Sequence, residues 1–132
     1  MSAWKALREW AATSTLAHVG FGFLAMGGWA VFANRDHALA QALLSGLVQG
    51  TISGLLTLGL KKFLEWFSAR LSGTTALILP PSVTAATVLA ILITAHRLAG
   101  TPEIAATIAV PFTVSTSYAV IYNWGLWRRR RA

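Results

Sequence analysis

The chain has 132 residues, 55% of them hydrophobic and only 11% charged, with a mean hydropathy of +0.60. Soluble domains carry about 25% charged residues, and so short a chain leaves too much surface exposed to hide this apolar load in one core, which disfavours a soluble enzyme, a secreted module and a DNA-binding domain. The net charge of +7 sits at the ends of apolar runs, where it reads as topology and attraction to anionic membrane lipids rather than nucleic acid binding, and the absence of cysteine removes disulfides and thiol chemistry.

The opening segment, residues 1–12, places Trp4, Leu7 and Ala11 on a helical face opposite Lys5, Arg8 and Glu9. This predicts a short amphipathic helix on the membrane surface, the alternative being a frayed terminus. An apolar helix needs about 20 residues to cross the hydrocarbon, and four segments qualify: 13–33, 38–60, 76–97 and 104–127. The first is too long for the apolar region of a cleavable signal peptide and ends in Asn34-Arg35-Asp36 rather than small residues, so it is expected to be retained. The tight turn Asn34-Arg35-Asp36-His37 joins the first two spans into a hairpin, and Ala99-Gly100-Thr101-Pro102 joins the last two. Pro102 and Glu103 suit the first turn of the fourth span. The fold class expected is an all-α membrane protein, a four-transmembrane-helix bundle forming one domain over 1–132, with a basic tail at 128–132.

Orientation follows from the basic residues. Lys5, Arg8, Lys61, Lys62, Arg70 and Arg128 to Arg131 fall on one side, with only Arg35 and Arg97 opposite. That asymmetry predicts both termini and the segment 61–75 in the cytoplasm, and Trp4, Trp10, Trp66, Trp124 and Trp127 fall near the same interface. A shift of 62 residues lays one hairpin on the other, Ala33-Asn34-Arg35 on Ala95-His96-Arg97 and Thr51-Ile52-Ser53 on Thr113-Val114-Ser115. This predicts a parallel repeat about an axis along the membrane normal, or reflects the ease with which apolar segments align.

Within the second span Ala38, Ala42, Gly46, Gly50 and Gly54 recur every four residues. Such a small-residue ribbon lets another helix approach backbone to backbone, either inside the bundle or at a seam between copies. Gln49, Thr51, Ser53 and Thr57 lie on the same span, and an amide near mid-membrane is costly unless paired. The fourth span carries Thr113, Ser115, Thr116, Ser117, Tyr118, Tyr122 and Asn123 below Pro111. Serine and threonine satisfy themselves against their own helix, so this stretch reads either as packing or as the lining of a cavity beside a proline kink. His18 is expected to be a packing residue, and His37 and His96 to sit near the outer interface. No carboxylate lies within any span, and no paired acids, metal-ligand spacing, phosphate loop or nucleophile elbow occurs. An enzyme is therefore not expected, and no cofactor or metal is implied. Arg35 and Arg97 are outer cations that either snorkel to headgroups or grip a phosphate with their planar forks, a role that Lys61, Lys62 and the arginine tail would share at the inner side.

The layout resembles the GtrA-like family of small polytopic proteins. The likeness rests on Tyr122-Asn123-Trp124-Gly125-Leu126-Trp127-Arg128 and Lys61-Lys62-Phe63-Leu64-Glu65-Trp66-Phe67, set against that family's Asn-Phe…Asn-Arg-x-Trp-x-Phe type signature. The resemblance implies a bacterial inner membrane and the movement of polyprenyl-phosphate-linked sugars. The expected function is thus a transporter or flippase for a phosphate-bearing lipid, working as a homo-oligomer. Its lipid-binding residues would be Arg35, Arg97, Gln49, Ser53, Thr113, Ser115, Ser117, Tyr118, Asn123, Lys61 and Lys62, with Ala42, Gly46, Gly50 and Gly54 packing helices. The alternatives are a non-transporting subunit that docks a membrane partner through the glycine ribbon, and a small channel or holin-like pore.

Overall fold

A computed structural model describes residues 2–131; Met1 and Ala132, the outermost residues of the expected surface helix and basic tail, lie outside the described residues. Five α-helices follow one another without a strand among the described residues: α1 (Ala3–Thr13), α2 (Thr15–Ala33), α3 (Leu39–Ser68), α4 (Gly73–Ala99) and α5 (Ile104–Arg131). The last four are long and apolar enough to cross a membrane, so the chain is a multi-pass membrane protein by length and composition.

Local chemistry sets the boundaries. Ser2 caps α1 by accepting from the Lys5 amide at 3.2 Å, and Ser14, in an extended conformation, both ends α1 and caps α2 through the Ala17 amide at 3.3 Å. Every residue of α1 is exposed, as a helix without a partner in the bundle must be. At the other end of α4, Gly100 takes the left-handed conformation at φ 70° that a side chain would resist, and Thr101 then donates its amide back to the His96 carbonyl at 3.0 Å.

The segment 61–75, which lies between the expected spans, is mostly helical. The helix α3 has 30 residues and is about 45 Å long at about 1.5 Å per residue, against about 30 Å of hydrocarbon. Hydropathy marks where lipid would end and not where the helix ends, so Lys61 to Ser68 continue α3 as a projecting stub. Only Ala69 to Ser72 connect it to α4.

Helix α2 packs on α3 and α5, α4 packs on α5 and α3, and α3 touches α5, while α2 and α4 do not meet. The seam between α2 and α3 is the tightest. A Cβ on Gly27 would lie 2.8 Å from the Gly46 carbonyl oxygen, and one on Gly50 would lie 2.9 Å from that of Phe23. The ribbon Ala42, Gly46, Gly50 and Gly54 therefore seats α2 of the same chain, while Ala38 at its head is exposed. A seam between copies, or a partner helix docked there, has no room. The apolar centre lies on the other flank of α3, where buried Val88 and Leu92 of α4 and Ile108 of α5 meet Ile52 and Leu56.

Candidate functional site

The bundle has a basic end, carrying the α3 stub, the α4 start and the α5 tail, and a far end carrying the two short turns. Each end is laced by buried polar groups. At the far end His96, Gln49 and Asn34 are fully buried, each at 0% exposure. The His96 Nε2 bonds Gln49 Oε1 at 2.9 Å, and its Nδ1 bonds Thr101 Oγ1 at 2.7 Å. Gln49 Nε2 donates to Ser53 Oγ at 3.0 Å, and Ser45 Oγ reaches Thr101 Oγ1 at 3.2 Å. Both Gln49 side-chain atoms thus have partners, which removes the cost of an amide in an apolar interior. The cluster ties α3 to the α4–α5 turn.

A second far-end cluster ties α2 to α5. Asn34 Nδ2 donates to the Ala30 carbonyl and to Thr107 Oγ1, each at 2.8 Å. Its Oδ1 accepts the Glu103 backbone amide at 2.9 Å. An amide just before Ile104 has no carbonyl of its own helix to bond, so a residue from another hairpin caps α5. Trp29 Nε1 donates to the Ala106 carbonyl at 2.9 Å, and His37 meets Glu103 Oε1 at 2.9 Å across the surface.

At the basic end Pro80 and Pro81 stand inside α4. Proline has no N–H, so the carbonyls four residues earlier, those of Ala76 and Leu77, lose their helical donors. Asn123 supplies both: its Nδ2 donates to Ala76 O at 3.0 Å and to Leu77 O at 2.9 Å. The Asn123 Oδ1 is left without a partner. Trp127 Nε1 donates to the Gly73 carbonyl at 3.0 Å. Tyr122 donates its hydroxyl to Glu65, which holds the α3 stub against α5.

The residues expected to bind lipid do not converge. Gln49, Ser53, Ser115 and Asn123 are buried, whereas Arg35, Arg97, Lys61, Lys62, Thr113, Ser117 and Tyr118 are exposed. Thr113 bonds back to the Ala109 carbonyl at 2.7 Å and Ser115 to that of Phe112 at 3.2 Å, so these hydroxyls satisfy their own helix. Two lateral clefts flank α3, one of about 290 Å³ beside α2 and one of about 150 Å³ beside α4, and neither is lined by Gln49, Ser53, Ser115 or Asn123. Arg35 and Arg97 stand at the ends of α2 and α4, which do not pack together, and Arg35 lies over the Phe32 ring at 4.1 Å. His18 is exposed on α2 and not packed in the bundle. His96, near the far end of α4, is buried at the centre of the far-end cluster.

His96, Asn34, Thr101 and Thr107 were the residues that sequence reasoning passed over. A signal existed: Asn34 and His96 are the polar pair that the 62-residue shift superposes. The adjacent prolines, which demand a donor from elsewhere, likewise pointed to an amide such as Asn123. Comparison with known proteins finds no matching family model, no matching curated protein and no matching solved structure.

Proposed function

We propose that this protein binds a phosphate-bearing membrane lipid, a phospholipid or a polyprenyl phosphate, and moves it across a bacterial inner membrane, with both termini in the cytoplasm. The observation that carries this reading is the state of its cations. Of the eleven lysines and arginines only Lys61 lies within 4.0 Å of a carboxylate, that of Glu65, among the described residues. Seven of the eleven, Lys61, Lys62, Arg70 and Arg128 to Arg131, cluster where α3, α4 and α5 come together, and cations on the cytoplasmic side satisfy the positive-inside rule. Three of them lie over indole rings, Arg70 on Trp66 at 4.0 Å, Arg128 on Trp124 at 4.8 Å and Arg131 on Trp127 at 4.4 Å. Such aromatic and cationic platforms suit the headgroup layer, where rings stay half in hydrocarbon and charges meet phosphate.

The polar interior is laced shut at both ends, so the lipid travels along the flank of the bundle with its headgroup shielded, and a second copy completes the path. The contact pattern supports a parallel repeat of the two hairpins. The 62-residue shift exchanges α2 with α4 and α3 with α5, and the observed packing maps onto itself. The Asn34–Thr107 pair then corresponds to His96 and Ser45, which Thr101 bridges.

The test is a dithionite assay on vesicles reconstituted with the protein and a fluorescent phosphatidylglycerol or polyprenyl phosphate. Inner-leaflet probe should become accessible faster than in protein-free vesicles, and Lys61→Gln with Lys62→Gln should slow it. Equal rates with and without protein would overturn the proposal.

A further inference from the structure

We infer that the cleft between α3 and α4 is a binding site for one inner-leaflet anionic phospholipid, its hydrocarbon chain held between the helices and its phosphate against Lys62. The inference deepens the function proposed above by placing the lipid, and it rests on that reading only for the orientation of the chain in the membrane.

Three observations converge. The cleft has a volume of about 150 Å³ and an almost wholly apolar lining. A space of about that size between aliphatic side chains holds a benzene-sized hydrocarbon fragment. Leu56 and Leu60 of α3 and Val88 of α4 form its walls and floor, and Gly59 stands on its exposed rim with nothing within 4 Å of where a Cβ would be. Position 59, which carries no side chain, leaves this rim of the gap open.

Thr84 is the second observation. It lines the same cleft, is 2% exposed, and its hydroxyl has no hydrogen-bond partner. Threonine in a helix ordinarily donates to the carbonyl four residues back, and Thr113, Thr107 and Thr57 all do so here. A buried hydroxyl without a partner is costly, and an ester carbonyl of a glycerolipid is the acceptor that an otherwise apolar cleft facing lipid would receive.

The third is the placement of charge. Lys62 and Trp66 follow Gly59 by three and seven residues, so they share its face of α3 on the side toward the basic end. Lys62 is exposed and has no carboxylate within 4.0 Å among the described residues. One helical turn beyond Trp66, Arg70 folds back over the indole and donates to the Trp66 carbonyl at 2.7 Å. From α3 centre to stub the face therefore reads apolar gap, ammonium, indole, guanidinium, so that a lipid of the inner leaflet would meet the gap with its chain, Thr84 with its ester and Lys62 with its phosphate. The larger cleft beside α2 lacks both an unpartnered hydroxyl and a following lysine.

Native mass spectrometry of the detergent-purified chain, titrated with phosphatidylglycerol, phosphatidylcholine and dioleoylglycerol, tests the site. The unaltered protein should retain phosphatidylglycerol in preference to the other two. Gly59→Leu, whose Cβ meets nothing within 4 Å, puts a side chain into the gap and should weaken retention by at least about tenfold at an unchanged unfolding temperature. Lys62→Gln should erase the preference for phosphatidylglycerol over phosphatidylcholine. Thr84→Val, which keeps the shape and deletes the idle hydroxyl, should weaken retention while raising the stability of the lipid-free protein, a combination that a purely structural threonine would not give. Retention that is equal for all three lipids, or unchanged in Gly59→Leu and Thr84→Val, would overturn the site. A protein that holds phosphatidylglycerol here but moves none in vesicles would overturn translocation and leave the site standing.

Discussion

Asn123 and the proline pair in α4 form a unit whose energetics can be measured. If Asn123 exists to serve the Ala76 and Leu77 carbonyls, then Asn123→Leu, close in shape but without a donor, strands both of them inside the bundle. Side-chain hydrogen bonds between membrane helices average about 0.6 kcal/mol and reach about 1.7, while a buried group left unpaired costs about 1–3 kcal/mol in water-soluble hosts. Two such bonds, less the relief of removing the unpartnered Asn123 Oδ1, give an expected loss of about 2 kcal/mol, roughly a thirtyfold shift in the folding equilibrium. The decisive measurement is the same substitution in a Pro80→Ala, Pro81→Ala background. There the two amides return, α4 satisfies its own carbonyls, and Asn123→Leu should cost nothing or stabilise, because a buried amide has lost its purpose. Steric-trap unfolding in bicelles gives the four free energies of the cycle. A cost of Asn123→Leu that is the same with and without the prolines would refute the pairing.

Other perturbations test the seam, the clusters and the topology. Gly50→Leu should abolish the folded monomer, because a side chain there runs into the Phe23 backbone and ring; Gly28→Leu, where a Cβ meets nothing within 4 Å, should be silent in a fluorescence-detected elution profile. His96→Leu should destabilise by about 1–3 kcal/mol, because it leaves Gln49 Oε1 unpaired and Thr101 Oγ1 with Ser45 alone, and adding Gln49→Leu should recover part of that loss; strictly additive losses would dissolve the cluster. Single cysteines at Asp36 and Ser72, both exposed, should react with an impermeant maleimide from opposite faces of the membrane. Reaction from one face would discard the four-span topology.

The spans were legible because hydrophobic runs of membrane length have few other uses, and the ribbon at Gly46 and Gly50 was legible because small residues at fixed spacing serve only close approach. Which helix approaches was not. That depends on the matching glycine on α2, Gly27, which sits in no comparable run. The polar residues were harder still. Composition reveals that Gln49 and Asn123 need partners, but the partners lie 47 residues away in each case, and nothing in a local window names them. Conversely, the run from Thr113 to Ser117 looked functional in sequence, yet Thr113 and Ser115 bond back to their own helix, because a helical hydroxyl has an acceptor within reach one turn back, and only the Thr116 hydroxyl is buried without a partner.

The proline pair also has a consequence for biogenesis. The segment Gly73–Ala99 is the most apolar of the four spans, yet it leaves the ribosome with two carbonyls that its own backbone cannot serve. Their donor, Asn123, is translated more than forty residues after them. The first hairpin closes on its glycine seam, with the side chains of Asn34 and Gln49 still awaiting partners on the second. The second has a further requirement: its two open carbonyls are served only when the last span arrives, which favours entry of the two spans into lipid as a pair.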